Sequence, residues 1–196
     1  TRGLQVEAPI ATPYLWGALL GRPRFSVAYP FDLLTFQVTG TAVDAVIAVM
    51  TPALALAMAA VAGLGVVKAV RGVSFAALFP PLSLALVLGF IVFNKVGSPQ
   101  YLAWLVPSVV IGIVVQRRVW AGPAALALVA AALTQLVYPL LYAGILTPEP
   151  VAVTVLTLRN LVTIALFVWM VVRVARLPAP ARRRQHVEVA AAEASA

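Results

Sequence analysis

Long apolar runs, separated by short polar or charged links, dominate the chain from residue 42 onward. A transmembrane helix needs about 20 largely apolar residues to cross about 30 Å of hydrocarbon. Five runs approach or exceed that length, and we expect each to be a membrane-spanning helix: 42–67, 74–93, 99–115, 121–146 and 151–172. The pattern therefore predicts an all-α, polytopic membrane helix bundle.

The first 41 residues do not follow this pattern. An apolar stretch at 8–20 is too short to cross a bilayer and predicts a helix lying at the membrane interface. Residues 22–36 mix aromatic residues, prolines and charges, which indicates an ordered loop outside the membrane. We therefore divide the chain into an interfacial segment, a transmembrane bundle and a disordered basic tail: 1–41, 42–177 and 178–196.

Basic residues are distributed very unevenly between the links. The chain has 14 Lys and Arg against 6 Asp and Glu, a formal net charge of +8. Nine of the 14 follow the first, third and fifth runs, in links that lie on one side of the membrane: Lys68, Arg71, Arg117, Arg118, Arg173, Arg176, Arg182, Arg183 and Arg184. The positive-inside rule predicts a multi-pass cell-membrane protein with this side and the C-terminus in the cytoplasm. Any unusual polar chemistry then lies at the extracytoplasmic face.

The composition excludes several functional classes. With 63% hydrophobic and 10% charged residues, the chain is not a soluble globule, and little polar surface remains for nucleic acid. It has no cysteine and one histidine, His186, so we expect neither a disulfide nor a thiolate or histidine metal site. Nucleotide-binding and hydrolase motifs are also missing from the sequence. We expect no metal, no cofactor and no nucleic-acid partner.

A polar island with the sequence NKVGSPQY lies at 94–101, on the outer side between two runs. Ser98 before Pro99 predicts a helix start, in which the Ser98 hydroxyl accepts a hydrogen bond from a free backbone amide. A helix N-terminus with Lys95 three residues upstream suits a phosphate group. An ordinary capped turn, with Lys95 reaching toward lipid headgroups, explains the same residues as well.

Arg159, followed by Asn160, lies inside the fifth run. At 1.5 Å per residue it is roughly 12 Å below the outer boundary, where a charged side chain needs a partner. It either pairs with an acidic residue or holds an anionic ligand such as a lipid phosphate. The acidic residues on the outer side are Glu7, Asp32, Asp44 and Glu149. Polar residues of the fourth run that could face the same cavity are Thr134, Gln135 and Tyr138, although an interhelical hydrogen bond explains each one better.

A third island, RGLQVE at 2–7, places Arg2, Gln5 and Glu7 beside the interfacial helix. Glu7 could act as an acid or a base. A lone carboxylate is weak evidence for catalysis, however, and a salt bridge or a helix cap explains it equally well.

Three stretches resemble one family of membrane enzymes. FNKVGSPQYLAWLVP at 93–107 resembles the FNKV-x-SPQY-x-x-WL-x-P stretch in the late membrane region of GT-C glycosyltransferases. These are the polyprenyl-phosphate-sugar-dependent mannosyltransferases of glycosyltransferase family 87 and their relatives. RGLQVE at 2–7 is similar to an RGLQ-x-E element that precedes this stretch in bacterial members, and LRNL at 158–161 resembles a late helix. The resemblance covers most of residues 1–177.

The resemblance implies an inverting transferase at the outer membrane face. Such an enzyme moves a hexose, here expected to be mannose, from a polyprenyl-phosphate-sugar donor to a glycolipid or glycan acceptor, among membrane lipids. The donor-site residues that we expect are Asn94, Lys95, Ser98, Gln100, Tyr101 and Arg159. The residues expected to line the same outer cavity are Arg2, Gln5 and Glu7. The catalytic base of such enzymes lies in a first extracytoplasmic loop without a match here, so we expect a fragment that is inactive alone.

Two other functional classes fit the same pattern. A transporter or lipid flippase would line an alternating-access path with broken helices and Arg159, and it predicts an inverted repeat that the sequence does not show. A non-catalytic membrane subunit would use the Ala- and Gly-rich helix faces for packing against other helices.

Overall fold

In the computed structural model, which describes residues 3–178, apolar helices form a bundle with a small β-sheet at one end. This confirms the predicted class, an all-α polytopic membrane helix bundle. The helices are α1 (Thr12–Leu19), α2 (Val43–Val70), α3 (Phe75–Phe93), α4 (Leu105–Gln116), α5 (Ala121–Gln135), α6 (Tyr142–Leu146) and α7 (Pro150–Arg176). The strands are β1 (Ser26–Ala28) and β2 (Gln37–Thr39). The predicted basic tail from residue 179 onward, and Arg2, lie outside the described residues.

Within the described residues, four helical stretches are long and apolar enough to cross a membrane. Three of them are α2, α3 and α7, and the fourth, Pro99–Leu140, contains the third predicted run and residues 121–140 of the fourth. The single helix predicted at 121–146 is wrong, because the helical path is interrupted at Tyr138 between α5 and α6. The stretch Pro99–Leu140 folds back at Arg117, where φ is 40° and ψ is −114°, so that α4 and α5 lie side by side. Gly112 makes the close turn possible, because a Cβ atom there would lie 2.2 Å from the Trp120 ring.

Helices α3 and α7 lie at the centre of the bundle, where they pack against each other. Helix α2 packs mainly on α3, and α5 packs on α7, so the central pair is covered from both sides. The middle of the core is closely packed with large apolar side chains, and its fully buried members include Leu84, Leu88, Trp120, Leu166 and Met170. The outward faces of α2 and α4 remain apolar and exposed, as expected of helices that meet lipid.

The three basic links meet at one end of the bundle. Lys68, near the C-terminal end of α2, donates hydrogen bonds to the backbone carbonyls of Ala175 and Leu177, at the C-terminal end of α7. Arg173 donates to the Val119 carbonyl and to Gln116 Oε1, next to the turn between α4 and α5. Cations at helix C-termini satisfy the free carbonyls there and complement the negative end of the helix dipole.

The opposite end of the bundle carries the β-sheet. Strands β1 and β2 pair antiparallel, with Val27 opposite Val38. The segment 3–7 runs along the other edge of β2, because the Val38 amide donates to the Leu4 carbonyl and the Val6 amide donates to the Phe36 carbonyl. The sequence predicted only an ordered loop at 22–36, since strands of three residues are too short to show a periodic pattern.

Candidate functional site

An open cavity of about 470 Å³ lies at the sheet end of the bundle, opposite the basic links. Four parts of the chain line it: residues 5–7, residues 29 and 34–36, residues 96–101, and residue 138 with residue 142. Clefts of about 300–1,000 Å³ that combine apolar walls with a few polar groups are typical of small-molecule sites. This cavity is therefore the candidate functional site.

The backbone of segment 3–7 holds two walls of the cavity together. On one side it pairs with β2, and on the other the Gln5 amide donates to the Lys95 carbonyl at 3.0 Å. Gly97 lies directly against this segment, since a Cβ atom there would be 2.5 Å from both the Ala8 nitrogen and the Glu7 carbonyl carbon. The polar islands at 2–7 and 94–101 are thus neighbours in space.

Ser98 begins the 3-10 helix Pro99–Trp104, which leads directly into α4. The predicted start of the helix is correct, but the predicted use of the Ser98 hydroxyl as its cap is wrong. The turn closes instead through the backbone, with the Tyr101 amide donating to the Ser98 carbonyl at 3.1 Å. Ser98 itself lines the cavity.

Arg159 and Glu7 form a buried ion pair behind the cavity wall. Arg159 Nη2 lies 3.8 Å from Glu7 Oε2 and donates a hydrogen bond to the Glu7 backbone carbonyl at 3.1 Å. Both residues are buried, at 1% and 5% exposure. Of the two explanations that the sequence left open, the structure shows an acidic partner, and it is Glu7. Arg159 therefore positions the segment 3–7 that carries Glu7 and does not itself line the cavity.

Burial raises the pKa of Glu7 from 4.5 to about 7, and the positive charge of Arg159 opposes this shift only in part. The pKa of Tyr142 is raised to about 12, first by burial and then by the negative charges of Glu7 and Tyr138. Glu7 and Tyr142 both line the cavity. The Glu7 carboxyl can exchange a proton near neutral pH, whereas the Tyr142 phenol stays protonated.

Two further side-chain hydrogen bonds attach α1 to α7 beneath the sheet. Asn160 Nδ2 donates to Thr12 Oγ1 at 2.8 Å, and Trp16 Nε1 donates to Thr157 Oγ1 at 2.9 Å. Asn160 is buried, so this contact gives its Nδ2 group a partner in place of water, while its Oδ1 has none among the described residues. The helix predicted at the membrane interface is thus held against the bundle through polar contacts with α7.

The structure brings most of the predicted site residues together. Those that line the cavity are Gln5, Glu7, Ser98, Gln100 and Tyr101. Lys95 and Asn94 immediately precede the lining segment, and Asn94 Oδ1 accepts a hydrogen bond from the Val96 amide. The three polar residues considered in the fourth run differ: Tyr138 lines the cavity, Gln135 is exposed, and Thr134 bonds to the Ala130 carbonyl of its own helix.

Sequence reasoning missed three aromatic residues of the cavity, Tyr29, Phe36 and Tyr142. Aromatic residues near a membrane boundary are usually interfacial anchors, so their type alone carried no signal. Pro139 was the available clue, because proline interrupts a helix and can turn the preceding side chain away from the helical path. Tyr138 has extended backbone angles, with φ −127° and ψ 119°, in the middle of the helical stretch.

Within residues 3–178, no three His, Asp or Glu side chains come together in a group that could hold a metal ion. A comparison with protein-family models, curated proteins and solved structures finds no match to the chain.

Proposed function

We propose that the chain is part of a membrane glycosyltransferase that moves a hexose, mannose in the first instance, from a polyprenyl-phosphate donor to a glycolipid or glycan acceptor. One observation carries the proposal. The islands at 2–7 and 94–101, which resemble GT-C motifs and are almost 90 residues apart, lie side by side and line one cavity through residues 5–7 and 96–101. The third stretch, at 158–161, contacts the cavity wall from behind, through the hydrogen bond and ion pair of Arg159 with Glu7.

The position of the cavity supports a substrate that is anchored in lipid. The cavity lies at the end of apolar helices and is continuous with the 3-10 helix Pro99–Trp104 that begins α4. A sugar carried on a polyprenyl chain would present its headgroup at this depth while the chain remains among the helices and lipid. Lys95, next to the lining segment, is the cation that we assign to the donor phosphate.

The distribution of charge supports an extracytoplasmic site. Lys68 and Arg173 mark the opposite end of the bundle, and the positive-inside rule assigns such an end to the cytoplasm. The proposal therefore places the cavity at the outer face of the cell membrane. A lipid-linked donor is required there, because nucleotide sugars are made in the cytoplasm.

A transfer assay tests the proposal. The full-length protein in proteoliposomes would be given radiolabelled polyprenyl-phosphate mannose and a lipid extract as the source of acceptor. Lys95→Ala should lower transfer at least tenfold, because it removes the positive charge assigned to the phosphate. Arg71→Ala, an exposed cation at the other end of the bundle, should leave transfer unchanged. Undiminished transfer by Lys95→Ala would overturn the donor-site assignment.

A lipid-linked-sugar flippase is the second candidate, favoured by the interrupted helix at Tyr138 beside the cavity. The same proteoliposomes distinguish the two functions. Movement of the labelled lipid between leaflets without consumption of the donor would support the flippase. Formation of a new glycosidic bond would support the transferase, and neither result would support a non-catalytic subunit.

A further inference from the structure

Four aromatic side chains that line the cavity together with Glu7 are in contact with one another. Tyr29 and Phe36 have ring centroids 4.7 Å apart, Phe36 and Tyr142 are 6.1 Å apart, and Tyr142 and Tyr138 are 5.2 Å apart. The last two pairs meet edge to face, the arrangement that the ring quadrupole favours. These four rings, which we call the aromatic wall, come from two distant parts of the chain and contact one another in series.

Phe36 packs against the core, but two of the four rings in the aromatic wall remain exposed. Tyr138 is 49% exposed and Tyr29 is 38% exposed, although both lie in a concave region that could have been filled by packing. Exposed aromatic faces gathered in a cleft are unfavourable in water and are characteristic of ligand sites. The backbone supports the same conclusion, because Tyr138 leaves the helical path at the point where its ring joins the wall.

The other residues that line the cavity are polar or apolar, and almost all of them are neutral. Gln5, Ser98 and Gln100 offer amide and hydroxyl groups, and Glu7 is the one charged side chain among the described residues that line the cavity. Amides and carboxyls donate to and accept from hydroxyl groups. Neither Lys95 nor Arg159 lines the cavity. This set of groups suits a neutral polyol better than a phosphate.

A pyranose ring combines these two requirements in one molecule. Its axial C–H bonds form an apolar face, and its hydroxyl groups project around the ring edge. The C–H groups carry a partial positive charge that is attracted to the negative face of an aromatic ring. The hydroxyl groups need hydrogen-bond partners when they leave water. The aromatic wall can contact the C–H face of the sugar, and the polar residues that line the cavity can form hydrogen bonds with its hydroxyl groups.

We propose that the cavity binds the transferred sugar ring itself, with its C–H face on the exposed ring of Tyr138, Tyr142 beside it, and its hydroxyl groups directed toward Glu7 and Gln100. The donor phosphate then lies outside the cavity, toward Lys95. The inference rests on the proposed transferase function for the identity of the sugar. It assigns the aromatic wall as the element that holds the ring.

Saturation-transfer difference NMR with methyl α-D-mannopyranoside tests this assignment directly. The full-length protein in nanodiscs should transfer saturation to the ring C–H protons of one sugar face. Tyr138→Ala and Tyr142→Ala should each weaken binding at least fivefold, because the first removes the stacking surface and the second removes the ring that borders it. Tyr142→Phe keeps the ring and should retain most of the binding. Phe75→Ala, an exposed aromatic at the other end of the bundle, is the matched control and should bind as the unmodified protein does.

Thermal unfolding of each variant shows whether the fold is intact, and Tyr142→Phe keeps the test decisive if an alanine variant fails to fold. Sugar binding that is absent, or equally strong in both folded alanine variants, overturns the aromatic wall as the sugar site. So does preferential binding of inorganic phosphate in the cavity. Wall-dependent sugar binding without any transfer would retain the sugar site and refute the transferase. Transfer with an unchanged KM in both alanine variants would retain the transferase and refute the aromatic wall as the sugar site.

Discussion

Glu7 and Arg159 are buried charged residues that lie 152 positions apart in the sequence, and each fixes the position of the other. Arg159 is held inside the bundle because Glu7 supplies both a carboxylate and a backbone carbonyl to it. Glu7 in turn is fixed at the edge of the cavity by that contact. A buried ion pair is not by itself strongly stabilising, because removing two charges from water costs several kcal/mol per ion. Its clearest consequence here is the position of the Glu7 carboxyl.

The raised pKa of Glu7 predicts a dependence of stability on pH. The carboxyl releases its proton near pH 4.5 when unfolded and near pH 7 when folded, so the folded state holds more protons between these values. Stability should therefore fall as pH rises from about 4.5 to about 7, by an amount of order 3 kcal/mol, and then level off. Glu7→Gln does not titrate and should lose this contribution. Thermal unfolding in nanodiscs across this pH range measures it.

Glu149→Gln is the matched control for this prediction, since Glu149 is exposed. It should keep the pH dependence of the unmodified protein. The same slope of stability against pH in Glu7→Gln and in the unmodified protein would contradict a carboxyl that titrates near pH 7.

At the scale of the elements, segment 3–7 joins β2 to the polar island at 94–101, and Gly97 is its tightest contact. Gly97→Ala should push the backbone of Glu7 and Ala8 away from the polar island at 94–101, because the nearest atoms are not the far end of a flexible side chain that could move aside. We expect a loss of about 1–3 kcal/mol in stability, together with weaker sugar binding. The unfolding midpoint and a sugar titration measure these two effects.

Gly63→Ala gives the comparison, since no other atom lies within 4 Å of the position of a Cβ atom at Gly63 in α2. It should fold and bind as the unmodified protein does. A Gly97→Ala variant with unchanged stability and binding would mean that the two segments do not need this close approach.

The helices could be predicted from the sequence and the contacts between them could not. Helix α3 was predicted at 74–93 and is observed at Phe75–Phe93, because an uninterrupted apolar run of bilayer length has one stable form in lipid. Glu7 was one of four possible partners for Arg159, and nothing in the local sequence singles out one of them. The aromatic wall was missed for the same reason, since Tyr29 and Tyr142 become neighbours only through the folded sheet end.

At the scale of the whole molecule, the bundle has a basic end and a cavity end, which predicts a fixed orientation in the cell membrane. The chain contains no cysteine, so single cysteines can report on each end. In a full-length protein free of other cysteines, Ser26→Cys should react with a membrane-impermeant maleimide in intact cells. Val119→Cys, 63% exposed beside the basic turn, should react only after lysis. The reverse pattern would place the cavity in the cytoplasm and contradict the assigned orientation.

The central claim is that a lipid-linked sugar occupies the cavity between Glu7 and the aromatic wall. Photo-crosslinking tests it most directly, using a polyprenyl-phosphate mannose analogue with a diazirine on the sugar and mass spectrometry to locate the attachment. We expect attachment at residues 96–101, or at Tyr138 and Tyr142, and we expect the natural donor to reduce it by competition. Attachment confined to the lipid-facing surfaces of α2 and α4, without competition, would contradict it.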